Sequence, residues 1–450
     1  MPGMERVGYI DLERPTILNI WGIGWPVMIS TISTTILTLV DIFWIGKLGA
    51  PQVAGASLSS ALFAVIIYFG QVISAGTLAI IARYAGAGKG EKISIALDHS
   101  LILALLVALP IVAVGLGWSS SLLTGLGAEE AVVHYGLPYL RLLLVTVPFL
   151  YIALVASTTL YGLGNTRTPM WINLLASSLN MALDPLFIFG WLGFPRWGVS
   201  GAGVATLCSF IFNCVLNLRF LVRKQVLLLK CPHLHLSLLS KILGIGFPAS
   251  IAAVTRPLTG MALFRITALF GTAGIAAFGI GVRIIGIPFI YLMGLGTAVQ
   301  TLVGQNLGAE RPDRAEDVVK KVVKIGLLLQ ALVTALYFVW APQMMYAFNP
   351  NPDVVRMGAS YLRIISLSLL IMPYTIAWSG AQRGAGETTP PMIAALLSNW
   401  VIKIPLAFLV ARQLNWGIDG VWLAIGFSVL VEALCLRAFY RGGRWKRKDL

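Results

Sequence analysis

The chain has 450 residues, 58% hydrophobic and only 11% charged, with a mean hydropathy of +0.84. A soluble domain of this size needs roughly a quarter charged residues to keep its surface wet, so a water-soluble enzyme or binding module is excluded. The net charge of +15 does not point to nucleic acid, because the basic residues gather in alternate loops between apolar runs.

Apolar segments of about 20 residues, long enough to cross hydrocarbon, recur along the whole length. The residues through Arg14 carry mixed charge and no short apolar core with a cleavage site. The first apolar segment is therefore expected to be retained as a helix and not removed as a signal peptide. Helices are predicted over 16–46, 54–84, 97–120, 131–158, 166–190, 199–224, 236–268, 275–306, 318–342, 355–382, 389–411 and 417–438. The fold class is all-α and polytopic, with 12 transmembrane helices. Loops holding Arg83, Lys89 and Lys92, Arg167, Arg219 through Lys230, Arg311 through Lys324, Arg383, and Arg437 through Lys448 alternate with loops nearly free of positive charge. This positive-inside pattern predicts a multi-pass plasma (inner) membrane protein with both termini cytoplasmic, its positive charge serving topology and anionic-lipid contact.

Cys208, Cys214, Cys231 and Cys435 have no paired spacing and predict no disulfide framework. His99, His134, His233 and His235 lack metal-ligand spacing. No GxxxxGK[ST] loop occurs, so ATP hydrolysis by this chain is not expected, and no cofactor is expected beyond a coupling ion.

The sequence repeats itself. At a shift of 222, Gly22-Ile23-Gly24-Trp25-Pro26 falls on Gly244-Ile245-Gly246-Phe247-Pro248, Gly49 on Gly271, Tyr139-Leu140-Arg141 on Tyr361-Leu362-Arg363, Gly164 on Gly386, and Pro169-Met170 on Pro391-Met392. After a length change between 171 and 179 the shift is 219, where Asn180 meets Asn399, Gly198 meets Gly417 and Gly201 meets Gly420. Six helices per copy is an even number, so the second copy starts on the same side as the first. The copies are expected to be related by a pseudo-twofold along the membrane normal. The predicted division is an N-terminal six-helix bundle at 1–224, a cytoplasmic linker at 225–235 and a C-terminal six-helix bundle at 236–450. Two such bundles suit alternating access, and transporters recur among duplicated membrane folds.

Ionisable groups in hydrocarbon are costly unless paired, hydrated or ligated, so mid-helix charges are candidates for function. Asp41 lies deep in the first helix and Asp184 in the fifth. Asn180 and Asp184 are four apart and share a helix face, and Pro185 leaves a nearby carbonyl short of its donor. These hard oxygens suit H⁺ or Na⁺, with Na⁺ held by Asp41, Asn180 and Asp184. Thr34, Thr38 and Asp41 form one polar stripe, and Pro26 predicts a kink about four turns earlier, where the charge state of Asp41 could control a bend. The competing readings are that Asp41 opens a short wet helix end and that Asp184 sits in a structural ion pair. In the second copy Asp41 corresponds to Leu263 and Asp184 to Lys403. Its buried candidates are basic, namely Arg256, Arg265, Arg283 and Lys403, with Glu432 as the acid to pair with Lys403. Arg283 and Lys403 are candidates for contact with an anionic or amphiphilic substrate, and Thr34 and Thr38 are further candidates for substrate binding.

The motifs Leu39-Val40-Asp41 with Trp44-Ile45-Gly46-Lys47-Leu48-Gly49, Asn180-x-x-x-Asp184-Pro185, Gly201-Ala202-Gly203-Val204-Ala205-Thr206 and Val303-Gly304-Gln305-Asn306-Leu307-Gly308-Ala309 resemble the multidrug and toxic compound extrusion (MATE) family over nearly the whole chain. The first-half acids resemble its DinF-like branch. The resemblance implies a cation site at Asp41, Asn180, Asp184 and Thr206, a hinge at Pro26, and Asp41 binding H⁺ or Na⁺ as substrate is released outward. The expected function is a secondary antiporter, not an enzyme, that exports small amphipathic organic compounds from within the bilayer. It is expected to act as a monomer. The alternative is a flippase for lipid-linked oligosaccharides from the same superfamily, which would use a large cationic cavity.

Overall fold

The computed structural model describes residues 11–227, 235–412 and 416–448, excepting the side chain of Arg412. Most of the predicted linker, with Cys231 and His233, lies outside the described residues. The first copy forms α1 (Thr16–Gly46), α2 (Ala50–Gly86), α3 (Gly90–Gly125), α4 (Glu130–Gly162), α5 (Arg167–Phe189) and α6 (Val199–Arg223). The second forms α7 (Leu236–Thr267), α8 (Gly271–Gly308), α9 (Pro312–Phe348), α10 (Pro352–Leu369 and Met372–Gly384), α11 (Thr389–Leu396, Leu397–Lys403 and Ile404–Arg412) and α12 (Gly417–Arg441). Ten apolar stretches are long enough to cross a membrane, one of them holding both α7 and α8, and the bent α10 makes the eleventh. With α7 and α8 counted separately, the twelve predicted crossings are present among the described residues.

Several helices outrun their predicted limits. α3 begins at Gly90 and α9 runs from Pro312 to Phe348, because polar turns extend each helix beyond its apolar window. α10 departs from the single helix expected at 355–382. It bends by 47° between Leu369 and Met372, where Pro373 enters the first turn of the second segment without an N–H to donate. α11 contains a π-helical stretch, Leu397–Lys403.

The glycines that register the two copies have a backbone reason to be glycine. Gly49 and Gly271, Gly164 and Gly386, and Gly198 and Gly417 all take positive φ at helix boundaries, where a side chain is strained. Helix packing repeats with them. In the first copy α4 packs against α2, α3 and α6, and α5 against α6; in the second α10 packs against α8, α9 and α12, and α11 against α12.

The compact units differ from the sequence division at their edges. One is Pro26–Gly246 and the other joins Asp11–Trp25 to the chain from Phe247 onward. The start of α7 belongs with the first unit, where Gly76 meets the backbone of Ile242. The start of α1 belongs with the second: the Thr16 hydroxyl donates to Asp317 Oδ2 at 2.6 Å and Glu13 pairs with Arg311. The Arg311 guanidinium holds the Glu13 carboxyl below the usual carboxylate range. The boundary within α1 falls at Pro26, the one proline inside that helix.

Close packing of α5 on α6 requires Gly201, where an added Cβ would lie 2.3 Å from the Phe187 carbonyl oxygen. Gly201→Ala is expected to destabilise the detergent-purified protein by about 1–3 kcal/mol in thermal melts, the scale of overpacking. Gly117→Ala, with nothing within 4 Å of the added carbon, is expected to leave the melt unchanged or slightly raised.

Candidate functional site

α1, α2, α4, α5 and α6 line a cavity of about 440 Å³. Three polar stripes face it, each set by helical spacing of three or four residues. α1 supplies Thr34, Thr38 and Asp41; α5 supplies Asn173, Ser177 and Asn180; α6 supplies Thr206, Ser209 and Asn213. Ser60 and Tyr139 add hydroxyls from α2 and α4, and Phe63, Ile67, Leu143 and Phe210 complete an amphipathic lining. The Thr34, Thr38 and Thr206 hydroxyls donate to carbonyls one turn back, at Ser30, Thr34 and Ala202, leaving oxygen lone pairs as acceptors toward the cavity.

Asp184 continues the α5 stripe by one turn and is fully buried. Its carboxyl hydrogen-bonds that of Asp41, so the two acids predicted from separate helices meet. The Asn180 amide satisfies both its ends when its nitrogen donates to Asp184 Oδ2 at 3.2 Å and its oxygen accepts from the Thr206 N–H at 3.3 Å. Tyr139, buried beside both acids, hydrogen-bonds Ser60. Farther along, Asn213 Nδ2 of α6 donates to Asn173 Oδ1 of α5 at 2.7 Å, which ties the two helices together, and within α6 Asn217 Nδ2 donates to Asn213 Oδ1 at 2.8 Å.

Neither acid pairs with a lysine or arginine among the described residues, so the ion-pair reading of Asp184 is not what the structure holds. Two ionised carboxylates about 4 Å apart repel by about 4 kcal/mol at an effective dielectric of about 20. The pair therefore needs a shared proton or a bound cation. The arrangement can take up one small positive charge on the wall of a cavity sized for an organic molecule.

The sequence-derived set Asp41, Asn180, Asp184, Thr206, Thr34 and Thr38 converges here. Arg283 and Lys403 belong to the second unit. Arg283 is exposed on α8, and Glu432 pairs with Arg256 at 3.2 Å in place of the expected Lys403. Lys403 donates instead to Asn399. Sequence reading missed Ser60, Tyr139, Asn173, Ser177, Ser209 and Asn213. The α5 and α6 members were legible as polar positions at spacings of three and four around Asn180 and Thr206.

The MatE family pattern matches residues 26–186 and 248–409, one stretch in each copy. A probable multidrug resistance protein, NorM, of Thermotoga maritima is 27% identical over 94% of this chain and 92% of its own length. An FAD transporter of Shewanella oneidensis is 26% identical over 94% of each chain. Among solved structures, a MATE protein in the bent conformation superposes with a TM-score of 0.91 at 26% identity, covering 99% of both chains. One in the straight conformation gives 0.89 at 26% identity, over 97% of this chain and 98% of that one.

Cysteine labelling tests the cavity. In a background without the four native cysteines, Thr38→Cys is expected to react rapidly with a small charged methanethiosulfonate. Ser59→Cys, buried where the native hydroxyl donates to the Gly55 and Gly136 carbonyls, is expected to stay unlabelled. Equal labelling of the two contradicts the cavity assignment.

Proposed function

The chain belongs to the MatE family, and on that premise we propose that it is a secondary active exporter of amphipathic organic compounds, driven by H⁺ or Na⁺ bound at Asp41 and Asp184. One observation carries the reading: Asp41, on the wall of an amphipathic cavity, meets the buried Asp184 behind it, and neither has a basic partner among the described residues. Relatives named for multidrug resistance and for FAD transport support small organic molecules as cargo. The protein is multi-pass, and its alternating basic loops favour the inner membrane with both termini cytoplasmic.

A proton shared by the acids, or a Na⁺ between them, removes the repulsion within the pair. Turning the Asn180 amide over points its oxygen toward Asp184 and supplies a third oxygen ligand for Na⁺. Because Asp41 rides on the part of α1 after Pro26, cation capture by Asp184 draws that segment toward α5. Pro26, at the junction between the two units within α1, is the natural pivot. The ion shifts the conformational balance only by its difference in affinity between the two states. Coupling follows if the ion-bound state is the one that holds substrate weakly.

In proteoliposomes with Na⁺ and pH gradients imposed separately, one gradient is expected to drive efflux of an amphipathic fluorophore. Asp41→Asn and Asp184→Asn are each expected to lower gradient-driven efflux at least about tenfold, within the usual range of site-to-site coupling, while melting as the parent does. Undiminished efflux in both variants rejects the ion site.

A further inference from the structure

Polar positions of the first unit's site have counterparts in the second unit that carry different charge, with a lysine in place of Asp184. Asn180 and Asp184 correspond to Asn399 and Lys403, Thr34 to Arg256, and Asn213 to Glu432. The structure brings these four counterparts together. The Lys403 ammonium donates to Asn399 Oδ1, and Arg256 Nη2 donates to Glu432 Oε1 at 3.2 Å. The π-helical stretch that carries Lys403 packs against α12, the helix that carries Glu432. Arg383 lies at the end of α10, whose second segment packs against α12, and its buried Nε lacks a hydrogen-bond partner among the described residues. Asn399 and Lys403 lie in the π-helical stretch of α11, a distortion that recurs at functional sites.

Three cations therefore share one carboxylate. Glu432 makes its direct ion pair with Arg256, and the direct hydrogen bond of Lys403 goes to the neutral Asn399 amide. Positive charge in excess within an apolar bundle is costly until an anion meets it. The group is reachable, since the Arg256 side chain is 42% exposed and that of Lys403 is partly exposed. We propose that Lys403 and Arg256, backed by Arg383, form a subsite for the anionic group of the transported compound, a carboxylate or phosphate on an amphipathic molecule. This deepens the exporter reading and rests on it: the first unit takes the driving cation, and the second recognises negative charge on the cargo. Arg283, exposed on α8, stands outside the group.

The test is binding without any gradient, on full-length protein in nanodiscs of zwitterionic lipid. Riboflavin and flavin mononucleotide share one fluorescent ring and differ by a phosphate. The wild type is expected to bind the mononucleotide about tenfold or more tightly than riboflavin, the scale of one charge-assisted contact. Lys403→Gln and Arg256→Gln are each expected to remove most of that preference and leave riboflavin affinity unchanged, which also reports that the variant is folded. Lys403→Arg is expected to keep the preference. Equal affinity for the two flavins, or no binding of the mononucleotide, overturns the proposal. Suppression of mononucleotide binding by phosphatidylglycerol in the nanodisc also overturns it, by assigning the subsite to a lipid headgroup. Asp41→Asn is expected to leave the flavin preference intact. Loss of the ion-coupling reading and loss of the anion subsite are thus read in separate assays.

Discussion

The structure depends on one constraint: two carboxyl groups touch inside an apolar helical bundle, and they tolerate each other only with a positive charge between them. The surrounding architecture keeps that contact in place. α5 presents Asn180 and Asp184 one turn apart, and the amide bridges to the α6 backbone at Thr206. The Asn173–Asn213 hydrogen bond ties α5 to α6, and Gly201 lets α6 close to backbone contact with Phe187. α1 is the element that contains the boundary between the two compact units. Asp41 sits after the proline at which the helix passes from one compact unit to the other. In the proposed mechanism, a change of charge at the acids acts on the segment of α1 after this proline.

The two copies show how a duplicated scaffold can diverge in chemistry while keeping its geometry. Positive-φ glycines at matched helix ends and the same set of helix pairings preserve the frame. Within it, an acid became a lysine, a threonine an arginine and an asparagine a glutamate. The second copy also broke its tenth helix and acquired a π-helical stretch in its eleventh. Backbone hydrogen bonding demands the frame, because unsatisfied peptide groups are not tolerated in hydrocarbon. Side chains facing an aqueous cavity carry no such demand and are free to specialise.

Much of this was legible in the sequence, for physical reasons. Apolar length reports membrane crossings, and matched glycines and prolines exposed the repeat, because they answer to backbone geometry and to close helix approach. Asp41 and Asp184 stood out because charge in hydrocarbon is costly. Their contact with each other was not legible, since it depends on how α1 rotates against α5. The same blindness produced the wrong partner for Glu432: Lys403 and Arg256 were both within plausible reach, and only the π-helical turn of α11 shows Lys403 turned to Asn399. Tyr139 marks the repeat, but its place in the cavity was not legible, because the sequence does not say which face of α4 turns toward the acids. The break in α10 follows from Pro373, but α4 carries Pro148 inside one continuous helix, so proline alone does not decide it.

The most direct test is infrared difference spectroscopy of the purified protein, reading the stretch of protonated carboxyl groups as alkali or Na⁺ is added. A protonated-carboxyl band that disappears on addition, and is missing from both Asp41→Asn and Asp184→Asn, is the expected result. A wild type with no such band at any pH and no bound Na⁺ contradicts the shared-charge pair on which the transport reading stands.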